Sequence, residues 1–502
     1  MKKIVSTLLL VAAFVMGGLS SFAQLRVDMS DVQPMTSENQ ALADAIMETQ
    51  LSDPDAANKQ FAKLLKKIQK DPEQLTAAGK FFVDNKVYPC AKQCAELVYK
   101  LKPDYIPGLK LSAAVGLMRR GESGLSVAGQ KMDEILNYDP NNLEALRLAA
   151  RIYKYINPYA AKDYLNKMLE VEAGNIVAYK EIGDINYESD DFQDAVENYD
   201  KFFAGSEVRR EYALSYDQYL NSLFALGQKT RDSKYYMQIL DVCDKVDALQ
   251  MNSIVTKRMR FFANVELGRE AELEKTSEYL LSKAYSDSAY IYRDYAYGAV
   301  YLRDKGDVQG AISLFQKGLE RDTAQYVAYK EISKLYRKLK DGDKAIEAQA
   351  TYLAKKEAAG AKVDLTDERD LVLCYLAAKN AASSAEAKTA YAEKGDVICQ
   401  KMIELKPDSY QGWYYRADLW MMDRQSAEQK PYQYYLKALE NLEKLDEDSK
   451  ESYGSQIAVA ATYAAFYHYN NKNFDQCKTY AQKALKYDPT NSTSQALLKA
   501  CK

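Results

Sequence analysis

"VAYKEI" occupies Val177–Ile182 and recurs at Val327–Ile332. Catalytic motifs are rarely duplicated, whereas structural units are duplicated whenever a fold is built by stacking copies. Extended outwards, the first copy reads NIVAYKEIGDINYESDDFQDAVENYDKFF from Asn175 to Phe203. The second reads QYVAYKEISKLYRKLKDGDKAIEAQATYL from Gln325 to Leu353. In the same register Asp191 meets Asp341, Ala195 meets Ala345 and Glu197 meets Glu347. Each copy is a helix with apolar periodicity, a short polar turn and a second periodic helix. An aromatic opens the first helix (Tyr179, Tyr329), and a small residue follows four positions later (Gly183, Ser333). The second helix begins near Ala195 or Ala345. Two antiparallel helices in a tight hairpin need a small residue where their backbones cross, and the aromatic fills the wedge between hairpins.

The phasing continues elsewhere. Gly79, Ala91, Ala95 and Pro103 fall on equivalent positions, as do Gly298, Ala311 and Phe315, with Lys305-Gly306-Asp307 as the turn. Trp413, Ala417 and Trp420 mark a further first helix. Ala465, Phe474, Cys477, Ala481, Ala484 and Pro489 mark the last unit. "LKPD" at Leu101–Asp104 and Leu405–Asp408, and "YDP" at Tyr138–Pro140 and Tyr487–Pro489, each end a helix. Proline lacks the backbone donor and disfavours helical geometry in the residue before it. The stretch 211–288 lacks such punctuation, and 355–400 carries extra length.

This order of aromatic, small residue, aromatic, alanine and proline over about 34 residues resembles the tetratricopeptide repeat. The resemblance covers nearly all of residues 38–489, as about ten to eleven helical hairpins, with a capping helix in 490–502. It implies an all-α, right-handed α-solenoid superhelix whose first helices line a concave face. It also implies that this face holds protein or peptide partners and that the chain does no chemistry itself.

Residues 1–23 read as a secretory signal peptide. Lys2 and Lys3 precede the apolar run Ile4–Met16, and the small-residue ending Ser21-Phe22-Ala23 follows. Residues 24–37 read as a flexible mature N-terminus. No later run reaches the ~18 apolar residues of a membrane helix. The expected location is therefore the bacterial periplasm, with outer-membrane association or secretion as alternatives. Without the two leader lysines, 66 basic residues face 71 acidic ones, a net charge of about −5. Both signs are interspersed, which gives no footprint for nucleic acid.

Only 11 prolines occur, none of them between Pro158 and Pro407, in a chain rich in helix formers. Seven cysteines do not form the pattern of a compact disulfide scaffold. Cys90 and Cys94 share a helix face and read as small apolar packing residues, the alternatives being a thiol pair or half of a metal site. The single histidine, His468, lacks a base partner in the sequence pattern. No phosphate loop, zinc motif, nucleophile elbow or dinucleotide fingerprint is present, so no catalytic, metal or cofactor residues are assigned.

Candidate partner-binding residues come from the first-helix positions. Lys330, Lys334 and Arg337 share one face and would clamp a carboxylate or acidic segment; the bland reading is a stripe neutralised by Glu331, Asp341 or a neighbouring unit. The equivalent face of the first copy carries Lys180, Asp184 and Tyr187. Asp418 sits on a further first helix. Tyrosine is abundant, at 41 residues against 14 phenylalanines, and Tyr292, Tyr295, Tyr414 and Tyr469 fall near concave positions. Exposed rings there would suit a protein partner or, as the alternative function, a glycan or peptidoglycan.

Overall fold

The computed structural model describes residues 25–119, 121–422 and 428–501. The signal-peptide reading falls outside them. The described residues contain 26 α-helices and no β-strand. They divide into two units, one ending at Arg269 and one beginning at Glu270.

The first unit pairs α1 (Ser37–Thr49) with α2 (Pro54–Ile68), α3 (Pro72–Asp84) with α4 (Tyr88–Leu101), and α5 (Ile106–Met118) with α6 (Glu122–Tyr138). It continues with α7 (Leu143–Tyr153) on α8 (Pro158–Val171), α9 (Ile176–Glu188) on α10 (Phe192–Gly205), and α11 (Ala213–Thr230) on α12 (Ser233–Ala248). Helix α13 (Ile254–Leu267) closes this unit. First helices of successive hairpins also touch, α3 with α5 and α9 with α11.

The second unit opens with α14 (Glu270–Leu281) packed on α15 (Tyr292–Asp304). Its hairpins are α15 with α16 (Val308–Arg321), α17 (Val327–Lys338) with α18 (Gly342–Ala358), and α19 (Leu365–Ala381) with α20 (Ala385–Leu405). Then come α21 (Tyr410–Trp420) with α22 (Gln429–Glu443), the short α23 (Glu447–Ser452), and α24 (Gly454–Asn470) with α25 (Phe474–Tyr487). The last helix, α26 (Ser492–Ala500), packs on both α24 and α25. The extra length around 355–400 goes into helix rather than loop, since α20 alone runs 21 residues. Each unit is thus an all-α array of tandem hairpins.

The repeated hexamer does the same work in both units. Ala178 and Ala328 are fully buried, and Ile182 and Ile332 nearly so. Asn175 caps α9 by accepting from Ala178 N at 3.0 Å, which satisfies one of the orphan donors of the first turn. Lys201 lies over the Tyr179 ring and Lys355 over the Tyr329 ring, so the opening aromatic carries a cation from its own second helix in both copies. Cys90 and Cys94 are buried in the α3–α4 core; burial pushes the Cys90 thiol up to about 11, and burial with the neighbouring Cys90 pushes Cys94 up to about 12. They behave as packing residues.

Residues 25–36, ahead of α1, lie on the first unit. Met29 is 5% exposed, and Val27, Val32 and Met35 pack on the core that contains Leu75, Leu111 and Val115.

Candidate functional site

The inner faces of α19, α21 and α24 enclose a cleft of about 720 Å³, completed by the start of α26. Its apolar lining is Leu376, Val459 and Phe466, with Tyr414 and Tyr463 beside them. Val459 stands on α24 at 44% exposure, large for a branched apolar side chain in the interior of a helix. A second, shallower hollow shares Phe466 and Thr493 and adds Tyr469, Ser492 and Ala496. The two form one continuous surface along α24 and α26.

The charged groups of the cleft already have partners. Lys379, 4% exposed, donates from Nζ to the carbonyls of Asp418 at 2.6 Å and Met421 at 2.8 Å. These carbonyls stand at the C-terminal end of α21, where a helix lacks internal donors and carries partial negative charge, so the ammonium caps it. The Asp418 carboxylate accepts from the buried Tyr435 hydroxyl. Burial, with the Asp418 charge beside it, raises the Tyr435 phenol well above its usual range, so it remains a donor. Burial likewise raises Tyr414. Tyr463 Oη accepts from Glu428 N at 3.0 Å, and Thr462 shares a hydrogen with Ser494 at 2.9 Å. What the cleft offers a ligand is therefore mainly apolar contact.

His468 lies against Tyr432, 2.9 Å from its hydroxyl, and its ring stacks on Tyr480. Burial lowers its pKa, which keeps the imidazole neutral near pH 7. Among the described residues no cluster of His, Cys, Asp and Glu could hold a metal ion.

The residues picked from sequence are scattered over both units. Tyr414 and Asp418 line the main cleft and Tyr469 the shallower hollow. Tyr292 and Tyr295, by contrast, are 6% and 7% exposed, packed within their hairpin against Gly318 and Tyr290. They fill the wedge between helices and present no ring to a glycan or a peptide. Lys330 pairs with Asp367 at 2.9 Å and Asp370 at 3.3 Å on the next first helix, α19. Lys334 pairs with Glu331 at 2.6 Å, and Arg337 is half-buried. Lys330 is thus neutralised from the next hairpin and Lys334 from its own helix. Lys180 pairs with Asp184 at 2.7 Å, and Tyr187 packs on Phe192.

Sequence reasoning passed over Lys379, Val459 and Phe466. A single lysine among the alanines of "YLAAKNAA" was the available signal, because a cation on an apolar face needs a carbonyl or carboxylate to meet it.

No protein-family model matches the chain, and no curated protein does. Solved structures do. The C-terminal part of a TPR repeat-containing protein from Cytophaga hutchinsonii matches at 21% identity and TM-score 0.44, over 56% of this chain and 99% of that one. PilF of Pseudomonas aeruginosa matches at 15% identity and TM-score 0.29, over 44% of this chain and 96% of that one. A chain of the APC/C Cut9–Hcn1 hetero-tetramer matches at 14% identity and TM-score 0.26, over 93% and 96%. The chain resembles the tetratricopeptide repeat proteins. Tandem hairpins, the small residues at their crossings and the aromatic wedges carry that resemblance through both units. No helix among the described residues is long and apolar enough to cross a membrane.

Proposed function

We propose that this protein is a non-enzymatic scaffold of the bacterial cell envelope that grips a protein segment in the cleft of α19, α21 and α24. One observation carries the reading: an open cleft across three successive first helices keeps an exposed apolar side chain, Val459, while its ionic groups are spent on neighbouring helices. Such a surface favours apolar side chains of a partner, with hydroxyls and peptide groups setting orientation. The leader-like residues 1–23 support export to the periplasm. The glycan alternative is weakened by the burial of Tyr292 and Tyr295.

The test places a photo-crosslinking amino acid at Asn380, in the cleft wall, in cells. A discrete protein adduct is expected there. It should vanish when Val459→Glu is added and be absent from a probe at Val397, an exposed position on the second helix α20. Equal labelling from both probes, or an adduct indifferent to Val459→Glu, would refute the cleft. Fractionation of the same cells tests the location, with recovery in the periplasmic fraction expected.

A further inference from the structure

Helix α5 is the place where sequence and fold pose a separate question. Its sequence IPGLKLSAAVGLM is apolar nearly all round, and a helix of that kind must be covered on every side. Helices α3, α4 and α6 cover part of it, and Leu109 and Ala113 share a core cluster with Ala145 and Leu148 of α7. The rest is covered by residues 25–32, of which 25–29 run extended with every second side chain turned down, before a turn at residues 30–32 closed by Val32 N donating to Met29 O. Leu25 and Val27 are half-buried and Met29 is buried, while Arg26, Asp28 and Ser30 are exposed. Leu25 and Val27 pack on the cluster containing Leu109, Ala113, Ala145 and Leu148, which spans α5 and α7. At the other end, Gln74 of α3 accepts from Thr36 N at 2.9 Å and reaches the Pro34 carbonyl at 3.5 Å. The segment therefore crosses three successive first helices.

One charge fixes its register. Lys110, the only cation in α5, is 7% exposed and lies between Asp31 Oδ2 at 3.1 Å and Glu144 Oε2 at 2.7 Å. Burial works against the charged amine, and the two carboxylates outweigh it and raise its pKa. Otherwise the attachment is light. Among the described residues, the backbone of 25–35 makes one hydrogen bond to other backbone, Val32 N to Met29 O at 3.3 Å. No strand ladder or disulfide holds it.

We propose that the inner face of α3, α5 and α7 is a binding groove for a protein segment that runs extended with apolar side chains at alternate positions and then turns, which sets a carboxylate two residues beyond the last of them against Lys110. Residues 25–35 are its built-in occupant, displaced by a partner segment of that pattern. Leu25, Val27, Met29 and Asp31 spell the pattern the groove accepts. This goes beyond the cleft of the second unit, and either site stands if the other fails.

The test uses the otherwise intact protein and a fluorescent peptide of sequence LRVDMSDVQ, copied from Leu25–Gln33. The peptide should bind the Met29→Glu variant at least tenfold more tightly than wild type, because the tethered competitor is weakened. A peptide with its Asp31 equivalent changed to Asn should lose most of that affinity. Equal affinity for both proteins, or no saturable binding to a folded Met29→Glu variant, overturns the proposal. Should that variant not fold, Met29→Cys serves instead, because all seven native thiols are buried. Excess peptide should then accelerate labelling of the introduced thiol, and an unchanged rate overturns the proposal. Dimers in light scattering that disappear with Met29→Glu would also overturn it, in favour of segment exchange between copies.

Discussion

The Arg147 guanidinium donates to the Glu181 carboxylate at 3.2 Å, 34 residues further along the chain. That interval is one repeat, and it recurs: Lys110 meets Glu144, and Lys154 meets Glu188, at the same spacing. Glu181 is the fifth residue of the repeated hexamer. Its counterpart Glu331 is likewise buried and lies 3.8 Å from Arg303 of the preceding first helix. Ion pairs thus stitch α5 to α7 and α7 to α9 in the first unit, and α15 to α17 and α17 to α19 in the second. A buried carboxylate costs several kcal/mol unless paired in this way.

Removing the Glu181 charge tests the stitch. Arg151 also donates to Glu181, at 2.7 Å, so Glu181→Gln weakens two charge-assisted bonds at once. The arginines are 42% exposed and can return to water. We expect a loss of about 2 kcal/mol in the first unit. Urea unfolding followed by circular dichroism reads it as a lower midpoint, and an unshifted midpoint would show that the pair is ornamental.

Asp367 is the most heavily engaged carboxylate of the second unit. It receives Lys330 at 2.9 Å, Lys356 at 2.5 Å and the Tyr352 hydroxyl at 2.9 Å. Burial alone would raise its pKa, but the two lysines outweigh it and hold it down at about 2. With a folded value below the unfolded value of about 3.9, its stabilisation is present above pH 4 and fades as pH falls towards 2. Asp367→Asn takes the nearest carboxylate from two partly buried ammonium groups, leaving Lys330 with Asp370 at 3.3 Å and Lys356 with Asp364 at 3.9 Å, with an expected cost of about 3 kcal/mol at neutral pH. Thermal melts from pH 7 to pH 2 should show a steep wild-type decline below pH 4 and a flatter one in the variant.

Asp217 has the opposite sign. Burial raises it to about 6, only partly offset by the Ser253 hydroxyl and the Arg258 charge. A carboxyl raised in the folded state favours folding below its unfolded pKa and loses that contribution as pH rises through about 6. Asp217→Asn should therefore raise the melting temperature at pH 7.5, by an amount worth about 1–3 kcal/mol, and give no gain at pH 4. A gain independent of pH would contradict the assignment.

Gly183 occupies the crossing of α9 and α10. A Cβ there would stand 2.9 Å from the Tyr199 ring, whose hydroxyl lies between Asp184 at 2.8 Å and Gln218 at 3.0 Å. Because the ring is anchored at its far end, overpacking outweighs the helix propensity that alanine adds. Gly183→Ala should cost about 1–3 kcal/mol. A control with Tyr199→Leu in the same background should recover part of the loss in the same melts.

The hexamer was enough to read the hairpin, the small residue at its crossing and the tandem order, because each is dictated by neighbours within one repeat. Partners one repeat away were not. The face carrying Lys330, Lys334 and Arg337 was correctly placed on a first helix, but the carboxylates that meet Lys330 lie on α19. Tyr292 and Tyr295 read as groove residues because periodicity reports a helix face and says nothing of what covers it. The same limit hid residues 25–35: the all-apolar α5 required a cover, and no periodicity in α5 names the segment that supplies it.

The 34-residue pairing also constrains how such an array grows. A duplicated block carries an acceptor for the helix before it and a donor for the helix after it, so whole copies splice in with both junctions matched. The second unit meets the same need at other intervals, with Arg303 facing Glu331 and Lys330 facing Asp367. The charges on the inner face thus act as a local thread pitch, which a spliced copy must match at both of its junctions.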